Sequence, residues 1–76
     1  MISDIKIYVA EELRKLRAAR RETIEEASKN IGISKDTLCR YEKGSSQMYV
    51  DVLYKILNYY NVEFDIFFAN YNANKH

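Results

Sequence analysis

Apolar residues recur at helical spacing in the first part of the chain. Four of them fall three or four residues apart and form one stripe on a helix: Ile5, Val9, Leu13 and Leu16. The alternation of apolar and polar residues over 5–9 also fits a β-strand. A helix is favoured because the helical period continues to Leu16, and it is predicted over about 4–20, with Ser3 or Asp4 as its N-cap.

Capping residues predict a second helix. Thr23 and Glu26 match the Thr-x-x-Glu capping box, in which two side chains accept hydrogen bonds from two otherwise unpaired backbone amides. The helix that they begin is predicted over about 24–31. Gly32 can end it, because glycine adopts positive φ at little steric cost.

A third helix is predicted after a turn of three residues. Ser34 is a good N-cap for a helix over about 35–42. Leu38 and Tyr41 lie on one side of this helix at 100° per residue. The other side is polar and mostly basic: Asp36, Cys39, Arg40 and Lys43. This pattern predicts a helix that is held to the protein on one side and open to an anionic partner on the other.

Glu42 falls close to the apolar side of this third helix. A carboxylate in that position needs a partner, because burying an unpaired charge is costly. Arg17, on the first helix, is the candidate. The alternative is that the Glu42 side chain reaches solvent.

Two further helices are predicted in the C-terminal half. The fourth, over about 49–60, carries apolar residues at core spacing: Val50, Leu53, Ile56, Leu57 and Tyr60. The fifth is predicted over about 64–70, and the polar tail 71–76 is predicted to be frayed. With no proline and two glycines, the chain is expected to form one all-α domain of five helices, over 1–76.

Composition favours binding over catalysis. A domain of 76 residues forms only a small core and leaves little room for a substrate cavity. A single cysteine, Cys39, cannot form an internal disulfide, and the only histidine, His76, is the last residue. Neither a Cys/His metal site nor a catalytic triad is therefore expected. Since a glycine-rich phosphate loop is also missing, the sequence predicts no cofactor, no metal ion and no enzymatic activity.

Membrane association is not expected either. No apolar run approaches the roughly 18 residues that indicate a membrane span, and the start of the chain lacks the order of a secretory signal. A cytoplasmic protein is predicted. Without a separate effector domain, no small-molecule ligand is expected.

The charge of the chain is unevenly distributed. The formal net charge is only +1, but residues 14–43 carry nine cations against five anions, which gives +4, and the rest of the chain carries −3. Such a concentration can attract a polyanion, although a solvated helix face often carries similar clusters. Charge alone leaves both interpretations open.

The segment "LRKLRAARRETIEEASKNIGISKDTLCRYEKG" resembles the Cro/repressor-type helix-turn-helix family, which has the lambda repressor-like fold. The similarity covers roughly 13–68, with its parts in the family order: Leu-x-x-Leu-Arg, Thr-x-Glu-Glu, Ile-Gly-Ile-Ser, Leu-x-x-Tyr-Glu-x-Gly, an apolar helix and "NVEFDIFF". This resemblance implies that the third helix is a recognition helix for the DNA major groove. It also implies that Arg17 and Glu42 form the family's buried ion pair.

The resemblance also implies the contacts to DNA. Base contacts are expected from the first turns of the recognition helix: Lys35, Asp36 and Arg40. Lys35 or Arg40 can donate to guanine, and Asp36 can accept from cytosine N4. Backbone contacts are expected at the helix starts and after the recognition helix: Thr23, Ser34, Cys39, Lys43, Ser45, Ser46 and Gln47. For Cys39 the alternative is a tolerated small residue without a contact.

Two departures from the family pattern affect these expectations. Ile24 stands where the family often has a glutamine that binds a phosphate, and its spacing predicts that it packs inward. Met48 and Tyr49 replace the usual Pro-Ser at the start of the fourth helix.

Aromatic residues of the fifth helix predict a homodimer. The helix carries more apolar area than a short terminal helix is expected to bury in its own domain: Phe64, Phe67, Phe68 and Tyr71. Two-fold dimers of such domains bind half-sites about one helical turn apart. The alternative is that these residues close the core of a monomer.

The sequence therefore predicts a regulator that binds double-stranded DNA sequence-specifically, without a catalytic step. A palindromic operator, a homodimer and a small repressor, Cro-like or controller protein of a phage or mobile element are expected. The alternative is a protein-interaction module of the same fold, such as an antitoxin-like partner. The polar, basic face of the third helix favours DNA.

Overall fold

The computed structural model describes residues 2–45 and 47–73, and every regular element within these ranges is an α-helix. The helices are α1 (Ile2–Ala19), α2 (Ile24–Ile31), α3 (Lys35–Lys43), α4 (Val50–Tyr59) and α5 (Phe64–Ala73). The predicted all-α class with five helices is confirmed. Residues 5–9 belong to α1, so the helical period, and not the short alternation, decides their conformation.

The helix ends follow the local signals in the sequence. The Thr23 hydroxyl accepts a hydrogen bond from the Glu26 amide at 3.1 Å, and the Glu26 carboxylate accepts one from the Thr23 amide at 2.9 Å. Gly32 ends α2 with φ of +92°, and its amide donates to the Ser28 carbonyl at 2.9 Å. The α2 bounds are therefore those predicted.

The fifth helix is longer than the sequence indicates. It continues to Ala73, so residues 71–73 are helical and not part of a frayed tail. The remainder of that predicted tail, 74–76, lies outside the described residues. Tyr71 explains the extension, because its ring lies 5.2 Å from the ring of Tyr8 and holds the last turn of α5 against α1.

One apolar core joins all five helices. Its buried residues include members of every helix: Val9, Leu13, Ala27, Ile31, Leu38, Tyr41, Leu53, Ile56, Leu57, Tyr60 and Phe67. Ile24 is half-buried against this core, which agrees with its predicted inward packing. The third helix is packed mainly on α1 and α2, so the core supports it from one side.

Phe67 corrects the predicted dimer surface. Its side chain is buried in the core, its ring lies 5.9 Å from that of Tyr8, and its carbonyl accepts the Tyr8 hydroxyl proton. A residue in this position closes the monomer and cannot face a second copy. Phe64 and Phe68 are half-buried and keep part of their surface.

Candidate nucleic-acid interface

The inner side of α3 is fixed by three buried residues. Leu38 and Tyr41 contribute to the core, and Glu42 is buried beside them. The Tyr41 hydroxyl accepts a hydrogen bond from the Tyr49 amide at 2.8 Å, so the same residue also fixes the segment that leads into α4. Only the opposite side of α3 is available to a ligand.

The ion pair predicted between Arg17 and Glu42 is present. Arg17 Nε lies 2.8 Å from Glu42 Oε2, and Arg17 Nη2 lies 2.9 Å from Glu42 Oε1. The exposed fraction is 25% for the Arg17 side chain and 4% for the Glu42 side chain. The hydrogen bond to Glu42 raises the pKa of the Arg17 guanidinium, although burial acts in the opposite direction.

The C-terminal end of α3 contacts α1 at two further points, through a hydrogen bond and through a close approach of the two backbones. Arg14 Nη1 donates a hydrogen bond to the Glu42 carbonyl, which satisfies a carbonyl in the last turn of the helix. Gly44 ends α3 with φ of +65°, and a Cβ atom at this position would lie 3.0 Å from the Lys6 carbonyl oxygen. Glycine is therefore required here for both its conformation and its size.

The outer side of α3 is exposed and charged. The solvent-facing residues are Lys35, Asp36, Arg40 and Lys43, and Cys39 is half-exposed between them with a free thiol. Arg40 Nη2 lies 2.9 Å from Asp36 Oδ2, one helical turn away. Lys35 Nζ lies 3.5 Å from Glu25 Oε2 on α2. The structure thus brings the three predicted base contacts onto one surface and pairs both cations with carboxylates.

Thr23, predicted as a phosphate contact, is the N-cap of α2. Both the Thr23 amide and its hydroxyl acceptor are engaged by Glu26 in the capping box. A second acidic residue, Glu25, lies in the same first turn. Thr23 therefore caps α2, while its exposed hydroxyl keeps its proton available, and the predicted phosphate contact stays a prediction.

Ser34 at the start of α3 is exposed. Its hydroxyl oxygen accepts from the Thr37 amide at 3.0 Å, and its proton is donated to Thr37 Oγ1 at 2.8 Å. The cap aligns the first turn of α3, in which Lys35 and Asp36 begin the exposed surface. Ser34 therefore lies next to both residues.

The segment after α3 continues the exposed surface. Ser45 and Gln47 are exposed, whereas Ser46 lies outside the described residues. A shallow cleft of about 220 Å³ separates α3 from this segment, lined by Thr37, Arg40, Tyr41, Gln47, Tyr49 and Val52. Gln47 is thus on the same side of the molecule as Arg40.

Tyr49 is a surface residue that sequence reasoning did not single out. More than half of its side chain is exposed, and its hydroxyl lies 3.4 Å from Gln47 Oε1 beside the Arg40 cleft. The departure from Pro-Ser at the start of the fourth helix was the signal that could have identified it. Its position makes it a candidate for a contact at the edge of the interface.

Other kinds of site have no support in residues 2–45 and 47–73. No group of three His, Cys, Asp or Glu side chains in this part of the chain is placed to hold a metal ion. Among the helices described, none is both long and apolar enough to span a membrane.

Comparison with known proteins agrees with this geometry. Residues 9–65 match a family described as a helix-turn-helix domain. Among solved structures, the crystal structure of an HTH_3 family transcriptional regulator from Vibrio cholerae matches with a TM-score of 0.81 and 30% sequence identity. The match covers 92% of this chain and 39% of that regulator, so the chain spans about two fifths of its length. No curated protein matches the sequence. The chain therefore belongs to the helix-turn-helix domain family and has the lambda repressor-like fold.

Proposed function

We propose that this protein is a transcriptional regulator that binds double-stranded DNA through the outer side of α3. The observation that carries the proposal is the division of α3 into two sides. Leu38, Tyr41 and Glu42 are buried, while Lys35, Asp36 and Arg40 are exposed together. A rigidly held helix with an exposed polar face is the element that helix-turn-helix proteins place in the major groove.

Lys35 and Arg40 supply the base contacts in this proposal. Both can donate to guanine O6 and N7, and Arg40 can do so with two parallel hydrogen bonds. Asp36 belongs to the same surface through its ion pair with Arg40. Phosphate contacts come from the exposed or half-exposed residues around this surface, Ser34, Cys39, Lys43, Ser45 and Gln47, and the family resemblance adds Thr23 and Ser46. Tyr49 is added because of its position beside Gln47.

The proposed mechanism is that the protein regulates transcription by occupying its operator. A domain of this kind controls transcription by covering an operator, so no catalytic step and no cofactor are needed. We place it among small repressor, Cro-like or controller proteins of a phage or mobile element, acting in the cytoplasm. The protein-interaction module, such as an antitoxin-like partner, is the competing function, and the charged face of α3 disfavours it.

Selection of bound duplexes from a random library tests the proposal. The wild type should enrich one motif, and Lys35→Ala/Arg40→Ala should lose that motif. Lys15→Ala/Lys55→Ala is the matched control, because it removes two exposed cations that lie on α1 and α4. The control should keep the motif. Binding without a motif, or no binding, would favour the protein-interaction module instead.

We also propose that the protein binds a palindromic operator as a homodimer through the surface of α4 and α5. Phe64 and Phe68 keep partial exposure, and the Phe64 ring lies 6.1 Å from that of Tyr54, whose side chain is largely exposed on α4. Tyr71 lies at the end of this surface, packed on Tyr8. A partly exposed aromatic group of this kind is typical of an interface.

The molecular mass in solution tests the dimer. The wild type should be dimeric at high concentration, and Phe68→Ala or Tyr54→Ala should shift it towards the monomer. Ile7→Ala is the control, because Ile7 is an exposed apolar residue of α1. A wild type that stays monomeric at high concentration would exclude the dimer and leave these residues as the edge of a monomeric core.

A further inference from the structure

We propose that Asp36 is a positioning residue that sets the specificity of DNA binding by holding the Arg40 guanidinium in the orientation that reads guanine. The inference rests on the proposed function and deepens it. The sequence indicates Asp36 as a direct contact to cytosine. In the structure, the Asp36 carboxylate is instead engaged by Arg40, with 2.9 Å between Oδ2 and Nη2.

The pair is local and open to solvent. Asp36 and Arg40 are separated by one helical turn, and the exposed fractions of their side chains are 71% and 60%. An exposed pair of this kind contributes little to folding. Its effect is on the conformation of Arg40, because a long side chain otherwise samples many rotamers and loses that freedom on binding.

Donor geometry makes the pair compatible with a guanine contact. A guanidinium has five N–H donors in a planar fork, and Nη2 is the nitrogen of Arg40 that lies 2.9 Å from Asp36 Oδ2. Since Nη1 and Nη2 each carry two N–H groups, one N–H of Nη2 can face Asp36 while its second N–H and one N–H of Nη1 form the parallel pair that matches guanine O6 and N7. The base contact therefore retains the ion pair.

A contact between Arg40 and a phosphate is not compatible with the Asp36–Arg40 pair in the same way as a contact with guanine. Phosphates line the walls of the groove, and a carboxylate that accompanies Arg40 to a phosphate is repelled by it. On DNA without the operator, Arg40 must either leave Asp36 or forgo the phosphate. The pair thus penalises binding to noncognate DNA and leaves binding to the operator in place, which is how a repulsive element produces specificity.

Glu25 provides the matched comparison within the same interface. Its carboxylate lies 3.5 Å from Lys35 Nζ, and both side chains are exposed. Lysine carries a compact charge without a fixed fork, so Glu25 cannot align it for two parallel bonds. Glu25→Gln removes the same charge as Asp36→Asn and is expected to raise affinity for all duplexes without lowering the ratio between operator and noncognate DNA.

The test measures binding to the selected operator and to a noncognate duplex for wild type, Asp36→Asn, Asp36→Ala and Glu25→Gln. For the Asp36 variants we expect the ratio of the two affinities to fall about tenfold. The salt dependence of noncognate binding should steepen by about one unit, because Arg40 becomes free for a phosphate. Melting temperatures of all variants show that the fold is retained.

A double-mutant cycle with Arg40→Ala identifies the residue through which Asp36 acts. In the Arg40→Ala background, Asp36→Ala should change the affinity ratio by less than about twofold, since the coupling runs through Arg40. Asp36→Ala could instead change the affinity ratio equally in the wild type and in Arg40→Ala, and alter the preference at a separate base pair. That result would show that Asp36 contacts a base directly and would overturn the proposal. An equal rise for both duplexes would show simple charge repulsion and also overturn it.

A measurement without DNA separates this proposal from the proposed function. Rotation of the Arg40 guanidinium in the free protein, followed by NMR of its side-chain nitrogens, should be slower in the wild type than in Asp36→Asn. Equal rotation in the two proteins would overturn the positioning role even if DNA binding is found. Slow rotation in a protein that binds no duplex would contradict the proposed function and not the ion pair.

Discussion

Two arginine–carboxylate pairs involve α3, one that joins it to α1 and one on its outer side. Arg17 and Glu42 approach to 2.8 Å, and Arg40 and Asp36 approach to 2.9 Å. Distance therefore does not distinguish them. Burial does, because Glu42 is 4% exposed whereas Asp36 is 71% exposed.

The two pairs differ in whether their charged groups keep contact with water. Glu42 has lost its water, so its charge is tolerated only because Arg17 donates several hydrogen bonds to it. The pair also joins α1 to α3 through two residues that are 25 positions apart in sequence. Asp36 and Arg40 keep their water, and solvent and salt screen their attraction. The buried pair is a structural element, and the exposed pair leaves both of its side chains accessible to a ligand.

Breaking the buried pair should have the largest effect. Arg17→Ala leaves Glu42 buried without its main partner and removes the hydrogen bond from Arg17 Nη1 to the Glu22 carbonyl. The free energy of unfolding should fall by about 3 kcal/mol, measured by urea denaturation. Arg17→Met/Glu42→Leu is the informative control and should recover much of this loss, because apolar residues of similar volume can replace a buried pair. An unchanged melting temperature in Arg17→Ala would remove the structural role.

Arg40→Ala tests the exposed pair through binding. If Arg40 contacts guanine with two hydrogen bonds, the affinity for the operator should fall by about 1–3 kcal/mol, and the preference at one base pair should relax. The free energy of unfolding should stay within about 0.5 kcal/mol of the wild type. A loss of the same size on every duplex would identify Arg40 as a phosphate contact instead.

Tyr60 lies near the Arg17–Glu42 pair and shows the opposite case, a buried polar group without a partner among the described residues. Among the described residues its hydroxyl is buried without a hydrogen-bond partner. Tyr60→Phe should therefore stabilise the protein by about 1 kcal/mol, because it removes an unpaired polar group. Thermal unfolding at neutral pH measures the change. A destabilised variant would show that the hydroxyl has a partner in solution.

Alkaline pH gives a second measurement on the same residue. Burial, and next the charge of Glu22, raise the pKa of the Tyr60 hydroxyl to about 12, from an ordinary value of 10.0. Between these values the unfolded chain releases a proton that the folded protein retains, so the wild type should lose stability as pH rises from about 10 to 12. Tyr60→Phe should lack this part of the loss.

Asp36→Asn should have the smallest effect on folding. The exposed pair is local and screened, so the free energy of unfolding should change by no more than about 0.5 kcal/mol. Urea denaturation at low and high salt measures it, and added salt should reduce the difference further. A change as large as that of Arg17→Ala would show that exposure does not separate the two pairs.

Local sequence signals predicted most of the backbone. The capping box at Thr23, Gly32 at the end of α2 and Ser34 at the start of α3 act within one turn of chain, so their outcome depends on few distant residues. The Arg17–Glu42 pair could also be predicted, because helical geometry places Glu42 near the apolar side of α3. The capping role of Thr23 was also implicit in the Thr-x-x-Glu pattern.

The fifth helix was harder to predict from sequence. Its residues are apolar around much of its circumference, so periodicity does not indicate which of Phe64, Phe67 and Phe68 faces the core. The orientation is set by Tyr8, which lies nearly 60 residues earlier in the chain. Its hydroxyl donates to the Phe67 carbonyl, and its ring contacts those of Phe67 and Tyr71. The length of α5 depends on the same contact.

The sequence by itself determined the five helices, the turn between α2 and α3 and the family of the domain, because capping and helical periodicity operate over a few residues. Only the tertiary structure decided that Phe67 is buried, that Tyr49 lies beside the Arg40 cleft and that Lys35 is paired with Glu25. These outcomes depend on which distant parts of the chain pack together. The resulting burial determines whether a charged side chain stabilises the fold or stays accessible to DNA.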